Sequence, residues 1–187
     1  MEIRVENLCK FYDGKPVLEN VTFTAGPGVT CVMAPSGAGK TTLLRILLGL
    51  ERPDSGSFTS NVHWSAVFQE DRLLEHLDAM GNLRFVLGPA LDEPAANALL
   101  TELGLGAVAG KPVREFSGGM KRRLALARAL LAPSDALALD EPFTGLDEEN
   151  RVRCQACVRR AGAEKPVLLV THDPADAKSL GASIIKL

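Results

Sequence analysis

Residues 34–41, APSGAGKT, constrain this chain more than any other eight residues. A short apolar run, residues 28–33, leads into them, and a helix-like segment, residues 40–48, leads out. They meet the GxxxxGKS/T pattern of a phosphate-binding loop at every position but the first, where Ala34 replaces glycine. Gly37 and Gly39 let the backbone curl, so that successive N–H groups converge on phosphate oxygens. The helix that begins at Lys40 turns the positive end of its dipole on the same anion. Ala34, Pro35, Ser36, Gly37, Ala38, Gly39, Lys40, Thr41 and Thr42 are thus the candidate nucleotide contacts. Lys40 is placed to bridge two phosphates, and the Thr41 hydroxyl to hold Mg²⁺. Alanine at position 34 matters only if that residue needs a positive φ.

Strand-like and helix-like segments alternate along the rest, which predicts an α/β fold with a largely parallel sheet. Strands are expected at residues 2–7 and 17–24, about the Asp13-Gly14 turn, then at 28–33, with shorter ones near 57–60 and 65–68. Strand signals vanish over residues 71–110, where Leu, Ala and Glu dominate and Pro89 and Pro94 separate helical pieces. This reads as a helical lobe, about residues 71–115, inserted in a single domain of residues 1–187. A helix at 118–131, a strand at 136–139, a helix at 148–160, a strand at 167–171, a last helix and a strand at 183–187 complete the domain.

The 187 residues suit one domain, and a net charge of −2 gives no general pull toward nucleic acid or anionic lipid. No apolar run nears the roughly 18 residues of a membrane span. The first residues, MEIRVENL, do not read as a secretory signal, so cytoplasmic residence is expected. Cys9 and Cys31 read as small core residues. Cys154 and Cys157 form a CxxC within a helical pattern and read as a helix-face pair, since a zinc site needs two further ligands at similar spacing. His63 and His76 read as surface residues, and Lys121-Arg122-Arg123 as the solvated side of one helix.

Two more constellations bear on chemistry. The apolar run 136–139 ends in Asp140-Glu141, which places carboxylates at the C-terminal edge of a buried strand, where ligands of such sheets sit. Asp140 is the expected Mg²⁺ partner, and Glu141 could polarise an attacking water. A helix N-cap before Pro142 would look the same in isolation. Ser117-Gly118-Gly119 precedes a basic amphipathic helix, and Ser117 suits an N-cap. The same geometry offers free N–H groups and a hydroxyl to a phosphate, and the residues alone do not separate the two readings.

Taken in order over essentially the whole chain, these motifs resemble the ATP-binding cassette (ABC) ATPases. The resemblance implies a P-loop NTPase core of the ABC type, with a small antiparallel β lobe and the inserted helical lobe. Only 28 residues separate Lys40 from Gln69, so the β lobe, placed around residues 52–66, is expected to be short. It further implies a head-to-tail dimer with a second copy or a similar cassette, two ATP molecules being sandwiched between them. Ser117, Gly118, Gly119 and Met120 would then face the partner's ATP, and Asp147 would cross the dimer as the D-loop aspartate. Met120 and Phe116 stand where the family often has Gln and Leu. By position, Tyr12 matches the aromatic that stacks on adenine, with Phe11 as its rival. Gln69 matches the glutamine that reaches Mg²⁺ and water, and His172 the switch histidine at the γ-phosphate.

Residues 69–77, QEDRLLEHL, resemble those of small-solute importers, notably the nitrate, sulfonate and taurine group. The implied protein is an ATP-hydrolysing subunit, peripheral on the inner face of the cell membrane, serving separate permease subunits and, for import, an external solute-binding protein. Leu73, Leu74 and Leu77 would either receive a permease helix or pack in the helical lobe. The chain is expected to lack the C-terminal regulatory domain of some importers. Two alternatives stand beside this reading: a soluble ABC ATPase acting on ribosomes or DNA, and a transporter subunit with impaired catalysis. No nucleic-acid partner is expected from the charge.

Overall fold

A computed structural model describes every residue except Ser36 and Ser60. Strands β1 (Ile3–Tyr12) and β2 (Lys15–Ala25) form an antiparallel hairpin about Asp13-Gly14, with Tyr12 opposite Lys15. β3 (Gly28–Met33) runs into the phosphate loop and helix α1 (Lys40–Leu47). β4 (Ser55–Phe58) returns to pair antiparallel with β1, giving a three-stranded lobe ordered β2-β1-β4. β5 (Trp64–Val67) departs from expectation. It leaves the antiparallel lobe and forms the edge of the parallel sheet, beside β6 (Ala136–Asp140). The lobe is therefore built mainly from residues 3–25, with only β4 drawn from the segment 52–66.

The parallel sheet is ordered β5-β6-β7-β3-β8, where β7 is Pro166–Val170 and β8 is Ser183–Lys186. β6 and β7 are buried at every residue, as parallel strands covered on both faces must be. Side-chain alternation divides the core. Cys31, Leu137, Leu139, Val167 and Leu169 face one side, with α2 (Ala79–Leu87), α3 (Glu93–Glu102), α4 (Gly118–Leu131) and α5 (Glu148–Gly162). Val32, Ala136, Ala138, Leu168 and Val170 face the other, against α1 and the antiparallel lobe. α6 (Pro174–Leu180) precedes β8.

Eight residues are too few for a helix to stand alone in water, so α1 owes its place to packing. Leu43, Leu44, Ile46 and Leu47 are buried, each worth roughly 1.5–3 kcal/mol. Five later helices start on a side-chain cap: Asp78 accepts from Gly81 N, Asp92 from Ala95 N, Ser117 from Met120 N, Asp147 from Asn150 N, and Asp173 from Ala175 N. In α5, burial pushes the Cys154 thiol up to about 12 and the Cys157 thiol up to about 11, which suits apolar packing rather than thiolate chemistry. Cys9 and Cys31 are buried, and His63 and His76 are exposed.

The Lys121-Arg122-Arg123 reading requires correction. Arg122 and Arg123 are each only 8% exposed, and their guanidinium groups end on backbone carbonyls rather than in water. Only Lys121 keeps a surface character, pairing with the exposed Glu75.

Candidate functional site

The phosphate loop and the loops that carry Gln69, Asp140-Glu141 and His172 leave the same edge of the sheet. β3 ends before the phosphate loop, β5 before Gln69, β6 at Asp140 and β7 before Thr171-His172. Because the strands are parallel, four loops distant in sequence meet at their C-terminal ends.

A cleft of about 250 Å³ lies there, lined by Val17, Gly37, Gly39, Lys40, Thr41, Thr42, Gln69, Asp140 and Glu141. Gly39 caps α1 in the left-handed region, at φ 86° and ψ 5°. Ala34 is not among the non-glycine residues with positive φ, so alanine sits there without backbone strain. Lys40 Nζ donates to the carbonyls of Ala34 and Pro35, at 2.6 and 2.9 Å. Ser36 lies outside the described residues.

Asp140 is 4% exposed and, among the described residues, its side chain accepts one hydrogen bond, from Thr41 Oγ1 at 2.9 Å. Burial raises its pKa, and the Thr41 bond only partly offsets this. Asp140→Asn is therefore expected to stabilise the protein in the absence of divalent cation, by about 1 kcal/mol or roughly 2–4 °C in Tm. A thermal melt in chelator at pH 7 checks this, and an equal or lower Tm would refute the buried-charge cost.

Glu141 holds φ at 50°, an uncommon conformation for a side-chain-bearing residue, and its N–H is tied to the carbonyl of Val170 at 3.0 Å. Its Oε1 lies 2.8 Å from His172 Nδ1. That hydrogen bond, chiefly, and the charge of Glu141 raise the His172 pKa. The imidazolium Nδ1–H then donates to the carboxylate.

Tyr12 is 42% exposed and its hydroxyl donates to Glu51. That hydroxyl also neighbours Thr42, while Lys10 Nζ stands 5.3 Å from the ring centroid. Tyr12 thus flanks the cleft without lining it. Phe11 is equally exposed, but it has no comparable tie to the phosphate-loop helix among the described residues.

Ser117, Gly118, Gly119 and Asp147 are gathered elsewhere. They line a second cleft of about 510 Å³ with Asp71, Arg122, Arg123, Thr144, Gly145, Leu146 and Asn150, and this cleft shares no lining residue with the first. Met120 lies beside it, its sulfur accepting from Ser117 N at 3.3 Å. Asn150 holds both oxygens of Asp147, at 3.0 and 2.8 Å.

The family model described as ABC transporter matches residues 18–144, from β2 to just past Glu141. The chain belongs to the ABC transporter family. Among its ABC relatives, the aliphatic sulfonates import ATP-binding protein SsuB 1 of Rhodococcus jostii (strain RHA1) is 41% identical over 185 residues, covering 94% of this chain and 75% of that protein. The SsuB protein of Delftia acidovorans is 38% identical, covering 99% and 79%. The zinc import ATP-binding protein ZnuC of Pseudomonas fluorescens (strain Pf0-1) is 38% identical, covering 91% and 67%. A solved structure described as the ATP binding subunit of an ABC transporter superposes with a TM-score of 0.87 at 25% identity, covering 100% of this chain and 86% of that one.

Two ABC-site features had no signal in the sequence reading. Glu51, which anchors Tyr12, carries no motif. Arg122 and Arg128 of α4 grip the loop after β5, and their partners lie more than 50 residues away in sequence.

Proposed function

We propose that the protein is the ATP-binding and ATP-hydrolysing subunit of an ABC importer of small solutes, powering transport through separate permease subunits. The observation that carries the chemistry is the convergence of Lys40, Thr41, Gln69, Asp140 and Glu141 on one cleft, with His172 against Glu141. Lys40 would release its loop carbonyls to meet the phosphates, aided by the N-terminus of α1. Glu141 accepts the proton of the water that attacks the γ-phosphorus in line, the bond to the β-phosphate oxygen breaks, and His172 steadies the carboxylate.

The oxygen donors Thr41, Asp140 and Gln69 suit Mg²⁺, a hard cation usually held by one or two carboxylates plus substrate phosphates. When bound, Mg²⁺ would neutralise charge on the phosphate oxygens. The second cleft, with Ser117 to Met120 and Asp147, is assigned to the ATP of a second cassette in a head-to-tail dimer, since these residues stand apart from the chain's own Lys40.

No helix among the described residues is long and apolar enough to cross a membrane. The permease is assigned to a groove of about 440 Å³ formed by Leu48, Leu50, Trp64, Phe68, Val86 and Pro133, among others. Leu50 and Val86 are 54% and 52% exposed, and Phe85 beside them is 71% exposed. This apolar patch adjoins Phe68, the residue before Gln69, so an occupant would touch the loop that serves the nucleotide cleft. Leu73, by contrast, packs against the core, and Asn82 ties down both backbone groups of Leu74. Leu73 supports lobe packing more than docking.

Membrane attachment on the inner face and an external solute-binding protein follow from this reading, as for the sulfonate importer group. The solute is recognised by those other subunits. The experiment is co-purification of the tagged chain from its own cells. The expected result is a membrane permease, lost on Val86→Asp while ATP binding by the purified chain persists. Recovery of ribosomes, or of no membrane protein, would overturn the transporter assignment.

A further inference from the structure

The loop between β5 and α2 has no regular structure over residues 68–74, yet its backbone is held at four carbonyls. Arg122 Nη1 and Nη2 donate to the carbonyls of Phe68 and Gln69, at 2.6 and 2.9 Å. Arg128 Nη2 and Nη1 donate to those of Asp71 and Arg72, at 2.8 and 2.7 Å. The spacing is self-consistent. Six residues along α4 rise about 9 Å, and the two gripped pairs, offset by three residues in sequence, stand about 10 Å apart when extended. The loop thus lies along the helix, pinned at both ends.

Two further contacts tighten it. Arg122 Nη1 stands 3.1 Å from Asp71 Oδ1, a buried oxygen with no hydrogen bond among the described residues. The Arg72 guanidinium lies 4.3 Å from the centroid of the Phe68 ring, closing the loop on itself. Hydrogen bonds from a guanidinium are among the stronger ones and, in pairs, fix orientation as well as distance.

We infer that Arg122, with Arg128, is a positioning residue for Gln69: the clamp on the backbone of residues 68–72 sets where the Gln69 side chain stands in the nucleotide cleft. The inference rests on the reading of Gln69 as a participant in hydrolysis. The clamp also joins the two clefts. α4 starts at Gly118 and Gly119 in the second cleft and, one turn later, grips the loop that supplies Gln69 to the first. Displacement of the α4 N-terminus would therefore carry Gln69 with it.

The test is a double-mutant cycle on the full chain, with kcat and KM for ATP measured in Mg²⁺ for wild type, Arg122→Met, Gln69→Ala and the pair. Arg122→Met is expected to lower kcat about tenfold, the scale of a side chain displaced by less than about 1 Å, with KM within about twofold. In the Gln69→Ala background the same change should cost nothing further. Arg128→Met, which touches neither nucleotide cleft, should repeat the pattern and serves if Arg122→Met does not fold. An equal loss with and without Gln69, or a loss confined to KM, would overturn the positioning role. A Gln69→Ala protein with wild-type kcat would instead overturn the reading of Gln69, and the clamp's purpose with it.

Discussion

Glu141→Gln is expected to lower kcat for ATP hydrolysis by about 10²–10⁴-fold and to leave ATP binding intact. The amide keeps the shape of the side chain, and its oxygen can still accept from His172 Nδ1, now 2.8 Å from Oε1. It cannot accept a proton from water. The variant should therefore bind ATP, stabilise the proposed head-to-tail dimer and stall before cleavage. Radiolabelled ATP retention and dimer formation by size-exclusion chromatography report the first two, and phosphate release the third. Wild-type phosphate release would eliminate Glu141 as the base.

His172 gives this substitution an internal check. Its pKa is raised, first through the hydrogen bond to Glu141 and then through that residue's charge. The paired, protonated form contributes to stability below the ordinary histidine pKa, and that contribution is lost as pH rises through the raised value. His172 is exposed, so the effect on stability is small. The NMR-detected pKa of His172 should nevertheless fall toward its ordinary value in Glu141→Gln, and an unshifted titration would contradict the contact.

Gly39→Ala should be the more damaging change to binding. An alanine Cβ there would stand 2.6 Å from the carbonyl oxygen of Val17 and 2.8 Å from Leu18 Cδ2. The first of these atoms belongs to the backbone of β2 and cannot swing aside. The left-handed conformation adds about 1–2 kcal/mol for any L-residue. The loop must open, and its N–H groups lose their common aim. ATP affinity is expected to fall by more than tenfold, with a loss of about 2 kcal/mol in stability, or roughly 4–8 °C in Tm. Gly37 is the control. It has a similar φ of 82° but open space about its absent Cβ, so Gly37→Ala should incur the conformational cost alone. Equal losses at the two positions, by titration calorimetry, would contradict the steric argument.

The phosphate loop, the Asp140-Glu141 strand end and the buried strands were readable because each is local. A loop that curls, a strand buried on both faces and a capped helix all mark their own residues. The placement of β5 was not readable: Trp64–Val67 is four residues long, and nothing in them says whether they join the lobe or the parallel sheet. That choice is made by β6, some 70 residues later. The fate of Arg122 and Arg123 was hidden for the same reason. Three cations in a row look solvated until the carbonyls of Phe68, Gln69 and Leu103 arrive from other segments. Position in the sequence favours Tyr12 over Phe11, and the neighbouring Thr42 adds a physical reason.

Arg123 has a consequence for modular exchange. One buried guanidinium donates to Leu103 and Gly104 in the helical lobe, to Gly119 at the start of α4, and to Asn150, which in turn holds Asp147. The helical lobe therefore is not a detachable insert. Grafting residues 71–115 from a distant homologue would strand a cation in the interior unless the graft returned two carbonyls to the same place. Chimaeras within the ABC transporter family should therefore succeed only where the boundary keeps Leu103, Gly104 and α4 together.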